Sequence, residues 1–403
     1  MHSALLIDEI LELVLDGCSD WDKKEYQHAA IQLSQTCTSM KDPALDRVWR
    51  NLSDPRSLTK LLGDGGKNSR SASTFVVPPQ HAFHSYAARV KHLSFRDRPP
   101  AVVSETPLLP NLTSVVLNRA GCETPVAWVL SEHLRSIEVV IGTLNVSCRA
   151  QTRGANVADL LRQWAKSFPH ASLDKLHIQG WMCPTLVRAI TFFPTLRSLS
   201  LLSGKSVSSE LLRAISVFPY LQELKVHASG IDIDDFKHFT PIPDDTTFPQ
   251  LRILSIVGSH PVVRAILELL QPDTLEDLAI EIDQPTHDTL HWKPTLEFLA
   301  MKAHRSLRQL DISDVALDDY PDDNAKIGST FTIETLRPLS ALGALRSFSV
   351  EGELPPTLTN KDIEDMTVWW PRMQHLFLGI PFLDQTSRNP WQAVPDDTHT
   401  LLT

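Results

Sequence analysis

Cysteine is scarce in this 403-residue chain, which limits the covalent and metal chemistry available to it. Its five cysteines are widely scattered, at Cys18, Cys37, Cys122, Cys148 and Cys183. No Cys-x-x-Cys pair or Cys/His set has the spacing of a zinc site, and the odd number argues against a disulfide framework. The cysteines are therefore predicted to be small buried side chains in a reducing compartment, with no metal site and no cofactor.

Long apolar runs and an excess of basic residues are also lacking. No run reaches the roughly 18 apolar residues that would indicate a membrane span. The first apolar stretch carries Asp8, Glu9 and Glu12 and has no basic lead, unlike a secretory signal. A formal net charge of −10 argues against a nucleic-acid partner, because phosphate binding needs a basic face. We expect an intracellular protein, cytoplasmic, nuclear or both, with neither a membrane nor a nucleic acid as its partner.

Catalytic signatures are missing as well. The sequence contains no His-Glu-x-x-His, no Gly-x-Ser-x-Gly and no complete calcium-binding loop. Acidic clusters at 232–235, 244–245 and 318–323 are interpreted as solvated loops, the last also as a docking surface for a basic partner. An enzyme would need a convergent set of titratable groups, and the sequence shows none. The chain is predicted not to be an enzyme.

What the sequence does contain is a short pattern that recurs eleven times between residues 90 and 378, close to Pro-x-Leu-x-x-Leu-x-Leu. The clearest copies are the segments 194–201, 219–226 and 249–256, which begin Pro194-Thr195-Leu196, Pro219-Tyr220-Leu221 and Pro249-Gln250-Leu251. In the looser copies the apolar triplet begins at Val90, Leu112, Leu134, Leu173, Leu275, Leu307, Leu345 and Met373.

Each copy predicts one short strand, because the triplet ends in strict apolar/polar alternation. Between triplets the sequence becomes helical, as at 207–215 and 261–270. Successive triplets begin 22, 22, 39, 23, 25, 30, 24, 32, 38 and 28 residues apart. The longest step is predicted to contain either a further degenerate repeat around residues 144–146 or additional helix. The prediction is an α/β fold, an irregular leucine-rich-repeat solenoid of about 11 strand–helix units over residues 84–383.

The remaining segments do not follow the repeat. Residues 1–62 are predicted to form a small module of three helices, near 5–17, 29–37 and 41–52, with Asp42 as the N-cap of the third and Pro43 at its first position. Residues 63–83 are predicted to be a flexible linker or loop, and residues 384–403 a mobile tail. Trp369-Trp370 is interpreted as a cap that closes the last repeat, with an exposed contact site as the alternative.

Segments of the N-terminal module resemble a known protein family. The segments 33–40 and 43–52, together with 7–11, resemble an F-box as found in fungal F-box/leucine-rich-repeat proteins. Leu6-Ile7 replaces the usual Leu-Pro, and the insertion at 18–27 is longer than the common spacing. The resemblance implies docking onto the Skp-type adaptor, and through it a cullin, of a Skp–cullin–F-box ubiquitin ligase. The residues implied to bind the adaptor are Leu6, Ile7, Ile10, Leu11, Val14, Leu33, Cys37, Leu45, Val48 and Trp49, although half or more must also form the core of the module.

A second predicted surface is the concave side of the sheet. In each strand the aliphatic residues of Leu-x-Leu point into the core, so the flanking and intervening positions line the opposite face. This face is predicted to bind an unidentified protein target, because its mixed charges and hydroxyls suit a protein epitope. The predicted residues are Lys175, His177, Gln179, Ser198, Ser200, Glu223, Lys225, His227, Ser255, Asp277, Glu281, Gln309, Asp311, His375 and Phe377.

Two functions fit these features. The first is the substrate-recognition subunit of a Skp–cullin–F-box ubiquitin ligase. The second is a non-catalytic leucine-rich-repeat scaffold with a degenerate F-box and no role in ubiquitination. Binding to the adaptor distinguishes them.

Overall fold

The chain forms two units, residues 1–199 and 200–403, each built from parallel strands and helices. The structure is a computed structural model that describes residues 8–18, 23–36, 38–62, 75–78, 80–95, 102–103, 107–123, 128–142, 147–203, 207–234, 247–283, 291–314, 331–352 and 356–379. Only the backbone is described for residues 8, 9, 11, 12, 23, 24, 75, 76, 102 and 103. The predicted tail at 384–403 and most of the predicted linker at 63–83 lie outside these ranges. The module boundary at residue 62 stays a prediction.

The first unit begins with three helices, α1 (Asp8–Gly17), α2 (Lys23–Ser34) and α3 (Thr38–Arg50). The elements that follow are β1 (Asn51–Leu52), α4 (Arg56–Thr59), β2 (Phe75–Val76), α5 (Ala82–Ala87), β3 (His92–Phe95), β4 (Val102–Val103), β5 (Ser114–Leu117), β6 (Ser136–Val140), α6 (Cys148–Ser167), β7 (Lys175–Gln179) and α7 (Pro184–Ile190). Two 3₁₀ turns, Lys60–Leu62 and Gly121–Glu123, lie between them. Strand β8 (Ser198–Leu202) crosses the division between the units.

The second unit continues the alternation of helix and strand. Its elements are α8 (Ser209–Ser216), β9 (Glu223–His227), β10 (Ile253–Gly258), α9 (His260–Glu268), β11 (Asp277–Ile282), α10 (Trp292–Ala303), β12 (Gln309–Asp314), α11 (Ile333–Leu336), β13 (Ser347–Gly352), α12 (Asn360–Trp369) and β14 (His375–Phe377). A 3₁₀ helix, Arg337–Ala341, follows α11.

The strands pair in the order of the chain. Twelve described strands, all but β2 and β4, form one parallel sheet, and β2 and β4 form a separate parallel pair. Equivalent positions of successive repeats are in register, as Leu224, Leu254 and Leu278 are in β9, β10 and β11. Parallel strands joined by helical segments are the arrangement of a leucine-rich-repeat solenoid, and the predicted α/β fold class is confirmed.

Burial along each repeat explains this arrangement. The first leucine of the triplet precedes the strand and is fully buried, as at Leu221 and Leu251. In the first ten copies the two aliphatic residues inside the strand are also buried, and the residues between them are less buried in most strands; in the last copy Leu376 is 40% exposed. Most strands of the large sheet are aligned by a pair of backbone hydrogen bonds at their start; at β10, for example, the N–H groups of Arg252 and Ile253 both donate to the carbonyl of Gln222. One apolar triplet therefore both anchors a repeat and sets its register.

All eleven predicted strands are present, as β3 and β5–β14, and β1 is one that the pattern did not reveal. It lies within the predicted module and pairs with β3, with Leu52 opposite Leu93. Helix α6 occupies residues 148–167 of the longest step, while the degenerate repeat predicted around 144–146 lies outside the described residues. Trp370 is buried against Phe348, as expected of a cap, and its indole N–H donates to the carbonyl of Leu339 at 2.9 Å.

The predicted start of the third helix is wrong. Helix α3 begins at Thr38, so Asp42 and Pro43 lie within it rather than at its N-terminus. The Asp-Pro pair is typical of a helix start, but the missing proline N–H costs only one bond in this short helix, and burial of Met40 and Ala44 keeps the turn helical.

Candidate functional site

The three N-terminal helices form a small module with a thin core. Among the side chains that the structure describes in these helices, the buried apolar ones are Leu15, Ala30, Met40 and Ala44, and α1 and α2 both pack against α3. The guanidinium of Arg47 pairs with the carboxylate of Asp16 at 2.9 Å and ties α3 to α1. Some of the described apolar side chains of α1 and α2 are left uncovered.

That uncovered surface contains part of the predicted adaptor site. The exposed fractions are 71% for Leu13, 48% for Val14 and 39% for Ile31. Val14 was predicted, whereas Leu13 and Ile31 were not, because helical periodicity alone does not show which of several apolar stripes the thin core leaves uncovered. Three exposed large apolar side chains on one small module favour a docking site there.

The other predicted adaptor residues divide into two groups. Half-buried positions are taken by Ile10, Leu33, Leu45, Val48 and Trp49. Leu6, Ile7 and Cys37 lie outside the described residues, as does the side chain of Leu11.

Trp49 has a structural role within the first unit. Its ring packs against that of Tyr86 in α5, with centroids 5.0 Å apart. Nearby, Arg89 forms ion pairs with the carboxylates of Asp42, at 2.6 Å, and Asp46, both on α3. Helix α3 is thereby joined to the first repeat, and the surface available for docking is concentrated on α1 and α2.

The second candidate surface is the polar face of the strands. In the first unit, His177, Gln179 and Ser198 are half-buried on this face, and Lys175 is exposed. In the second unit the half-buried members are Glu223, Lys225, His227, Asp277, Glu281, Asp311 and Phe377, and the exposed members are Gln309 and His375.

Two predicted contact residues on this face are in fact buried. Ser200 is 7% exposed and Ser255 is 8% exposed. Ser255 lies in register between Lys225 of β9 and Ala279 of β11. A serine side chain is too short to extend beyond a neighbouring lysine, so these serines offer a partner little surface. The alternation in the sequence predicts on which face of the sheet a residue lies but not how deeply its side chain is buried.

The face is acidic around β11 and β12. Lys225 pairs with Glu223 at 3.1 Å, whereas Asp277 and Asp311 lie diagonally across neighbouring strands. Burial raises the pKa of Asp277, and the nearby carboxylates of Glu276 and Asp311 add to the effect. Burial likewise raises the pKa of Glu281, with a contribution from Asp283.

Polar groups of the second unit also meet where β10 and β12 end. The ring of His260 lies 4.7 Å from that of Trp292 in an edge-on contact, and the indole N–H of Trp292 donates to Oδ2 of Asp314 at 3.0 Å. Burial, and secondarily His291, lowers the pKa of His260 to about 4. Within the described ranges, no three His, Cys, Asp or Glu side chains are arranged to hold a metal ion. The described helices include none that is long and apolar enough to span a bilayer.

No family model matches this sequence, and no curated protein was found to be similar to it. Among solved structures, the chain is similar to the leucine-rich-repeat-containing protein LegL7 from Legionella pneumophila. The identity is 12%, the alignment covers 66% of this chain and 82% of that protein, and the TM-score is 0.37. It is also similar to a chain of the Rad7 and Elc1 complex in yeast, with 13% identity, 94% and 91% coverage and a TM-score of 0.40. Both scores are too low to carry an argument about function, and the repeat architecture rests on the strand order and burial described above.

Proposed function

We propose that the protein is the substrate-recognition subunit of a Skp–cullin–F-box ubiquitin ligase. The N-terminal module binds the Skp-type adaptor, and through it a cullin, while the polar strand face binds an unidentified protein target. The chain performs no covalent chemistry and needs no cofactor, because its contribution is to hold the target close to the ubiquitin-carrying enzyme. This role places it inside the cell, in the cytoplasm, the nucleus or both.

The observation that carries the proposal is the exposed apolar surface of α1 and α2. Leu13 and Val14 are exposed on α1, and Ile31 is exposed on α2. Burying such side chains against a partner releases about 25 cal/mol for each Å² of apolar area, which is the usual driving force for helix docking. The module precedes the repeats in sequence, so docking and target selection are assigned to different segments of the chain.

The test is co-expression with the Skp-type adaptor of the source organism, followed by size-exclusion chromatography. We expect a stable complex with the wild-type chain and its loss in the double variant Leu13→Asp, Val14→Asp. Val368→Asp is a matched control, because Val368 is 78% exposed on α12 in the second unit. A complex that survives the double variant would contradict docking through α1, and no complex with the folded wild type would contradict the proposed function.

The scaffold alternative is favoured by a different observation. Trp49 and the Asp42/Asp46 pair of α3 are used in contacts with Tyr86 and Arg89, so the module also serves as a cap on the first repeat. A protein with only this capping role would elute alone in the same experiment, with the repeats still folded. Circular dichroism of the eluted chain distinguishes this result from misfolding.

A further inference from the structure

Two arginines approach the same glycine at the C-terminal ends of β5 and β6 in the first unit. A Cβ atom built on Gly142 would lie 3.4 Å from Nη1 of Arg153 and 3.6 Å from Nε of Arg119. The two guanidinium groups therefore flank one point of the backbone, although they are 34 residues apart in sequence. Gly142 has φ +136°, a conformation that side chains rarely adopt, and its missing side chain leaves room between the two arginines.

A third arginine stands on the same helix as Arg153. Arg149 precedes Arg153 by four residues in α6, so their side chains leave one face of the helix one turn apart. Arg149 and Arg119 are exposed and Arg153 is half-buried. We call Arg119, Arg149 and Arg153 the arginine cluster.

The cluster lies at the N-terminal part of a 20-residue helix. The first turn of α6 contains no acidic residue, although the positive end of the helix dipole favours acidic residues there. The Oγ of Ser147 caps the backbone N–H of Ala150 at 3.1 Å, which fixes the start of the helix. The helix end and the guanidinium groups of Arg119 and Arg153 contribute positive charge to one small region.

Little described negative charge offsets this accumulation. None of the described residues forms an ion pair with a member of the arginine cluster. Arg153 donates from Nη1 to the carbonyl of Ile141 at 3.2 Å, and its buried Nε has no hydrogen-bond partner within the described chain. Glu123 lies close enough to influence Cys122, as Arg153 also does, but one carboxylate leaves an excess of positive charge.

Guanidinium groups without counter-ions repel one another, and a buried N–H without an acceptor costs free energy. The repulsion is relieved when an oxyanion binds, because arginine offers paired N–H donors and a helix N-terminus favours negative charge. We propose that the arginine cluster binds a phosphate group, either as the free anion or as a monoester. The site is separate from the adaptor-docking surface on α1 and α2 and does not depend on the proposed role in ubiquitination.

The test is a titration of the full chain with inorganic phosphate, followed by the line width of the phosphorus NMR signal. We expect saturable binding by the wild type and an affinity at least about tenfold weaker in Arg119→Gln and Arg153→Gln. Arg162→Gln is the matched control, because Arg162 lies on the same helix but already pairs with Asp159 at 2.6 Å. Its affinity should equal that of the wild type.

Arg119→Gln keeps the test decisive even if Arg153→Gln lowers stability, since Arg119 is exposed. Thermal unfolding of each variant checks that it is folded. A second titration uses the amide of N-acetyl-phosphoserine. Binding at least as tight as that of phosphate assigns the site to a phosphorylated side chain, and exclusion of the monoester assigns it to the free anion. The proposal is overturned if the wild type shows no saturable binding, or if Arg162→Gln weakens binding as much as Arg119→Gln does.

Discussion

The indole N–H of Trp292 donates to a carboxylate oxygen of Asp314, and both side chains are almost fully buried. The bond joins the start of α10 to the end of β12, so it fixes one helix of the second unit against its strand. Such a donor satisfies part of the hydrogen-bonding capacity of a buried carboxyl group, and leaving that capacity unmet costs free energy.

Trp292→Phe should therefore lower the free energy of unfolding by about 1.5–3 kcal/mol, the range of a hydrogen bond to a charged group. Trp164→Phe is the control, since the indole of Trp164 donates to the neutral carbonyl of Ser131 at 2.9 Å. Trp164→Phe should lower the free energy of unfolding by about 1 kcal/mol. Urea unfolding of both variants measures the difference, and equal costs would show that the charge of Asp314 is unimportant.

His260 predicts how stability depends on pH. Burial, helped by His291, lowers its pKa from the ordinary 6.5 to about 4. Between these values the unfolded chain binds a proton that the folded chain does not, so stability is lost as the pH falls from about 6.5 to about 4. The His260→Gln variant should lack the part of this pH-dependent loss of stability that His260 causes. The His375→Gln variant, changed at an exposed position, should match the wild type. The measurement is the urea midpoint at several pH values, and identical slopes for all three proteins would contradict the prediction.

Gly180 should tolerate no side chain. It has φ +109°, and an added Cβ would lie 2.9 Å from the carbonyl oxygen of Gly142. We expect Gly180→Ala to cost about 1–3 kcal/mol through strain and close contact. Gly343→Ala serves as the comparison, because nothing lies within 4 Å of the Cβ position at Gly343. Thermal unfolding that shifts equally in both variants would argue against the packing of Gly180 on Gly142.

Trp49 provides a test of the capping role of α3. Its ring contact with Tyr86 lies within the first unit and needs no partner. Trp49→Ala should thus lower the stability of the isolated chain by about 2 kcal/mol, while Leu13→Ala, at an exposed position, should change it by less than about 0.5 kcal/mol. If Trp49→Ala left stability unchanged and only weakened adaptor binding, Trp49 would be a docking residue rather than part of the cap.

The repeat architecture could be predicted because one local pattern determines it. A leucine before each strand and two aliphatic residues within it predict burial directly, as Leu221, Leu224 and Val226 illustrate. Strand β1 escaped prediction because two residues, Asn51 and Leu52, cannot show an alternation, and their strand conformation depends on pairing with β3.

The sites were less predictable, because they depend on tertiary contacts. Which apolar residues of α1 remain exposed is decided by how α1 packs on α3, and the depth of Ser255 by the length of its neighbours on adjacent strands. Arg119 and Arg153 form no motif and meet only where two strands end beside α6. Sequence patterns therefore predict which kind of surface each segment forms, and tertiary packing determines which residues are exposed on it.

The central claim is that α1 and α2 bind the Skp-type adaptor, and hydrogen–deuterium exchange of the full chain with and without the adaptor tests it most directly. The prediction is slower exchange in residues 8–34 on addition of the adaptor, with β9–β12 unchanged because their polar face remains free for a target. Unchanged exchange throughout the chain, or slowing confined to the strands, would contradict the claim.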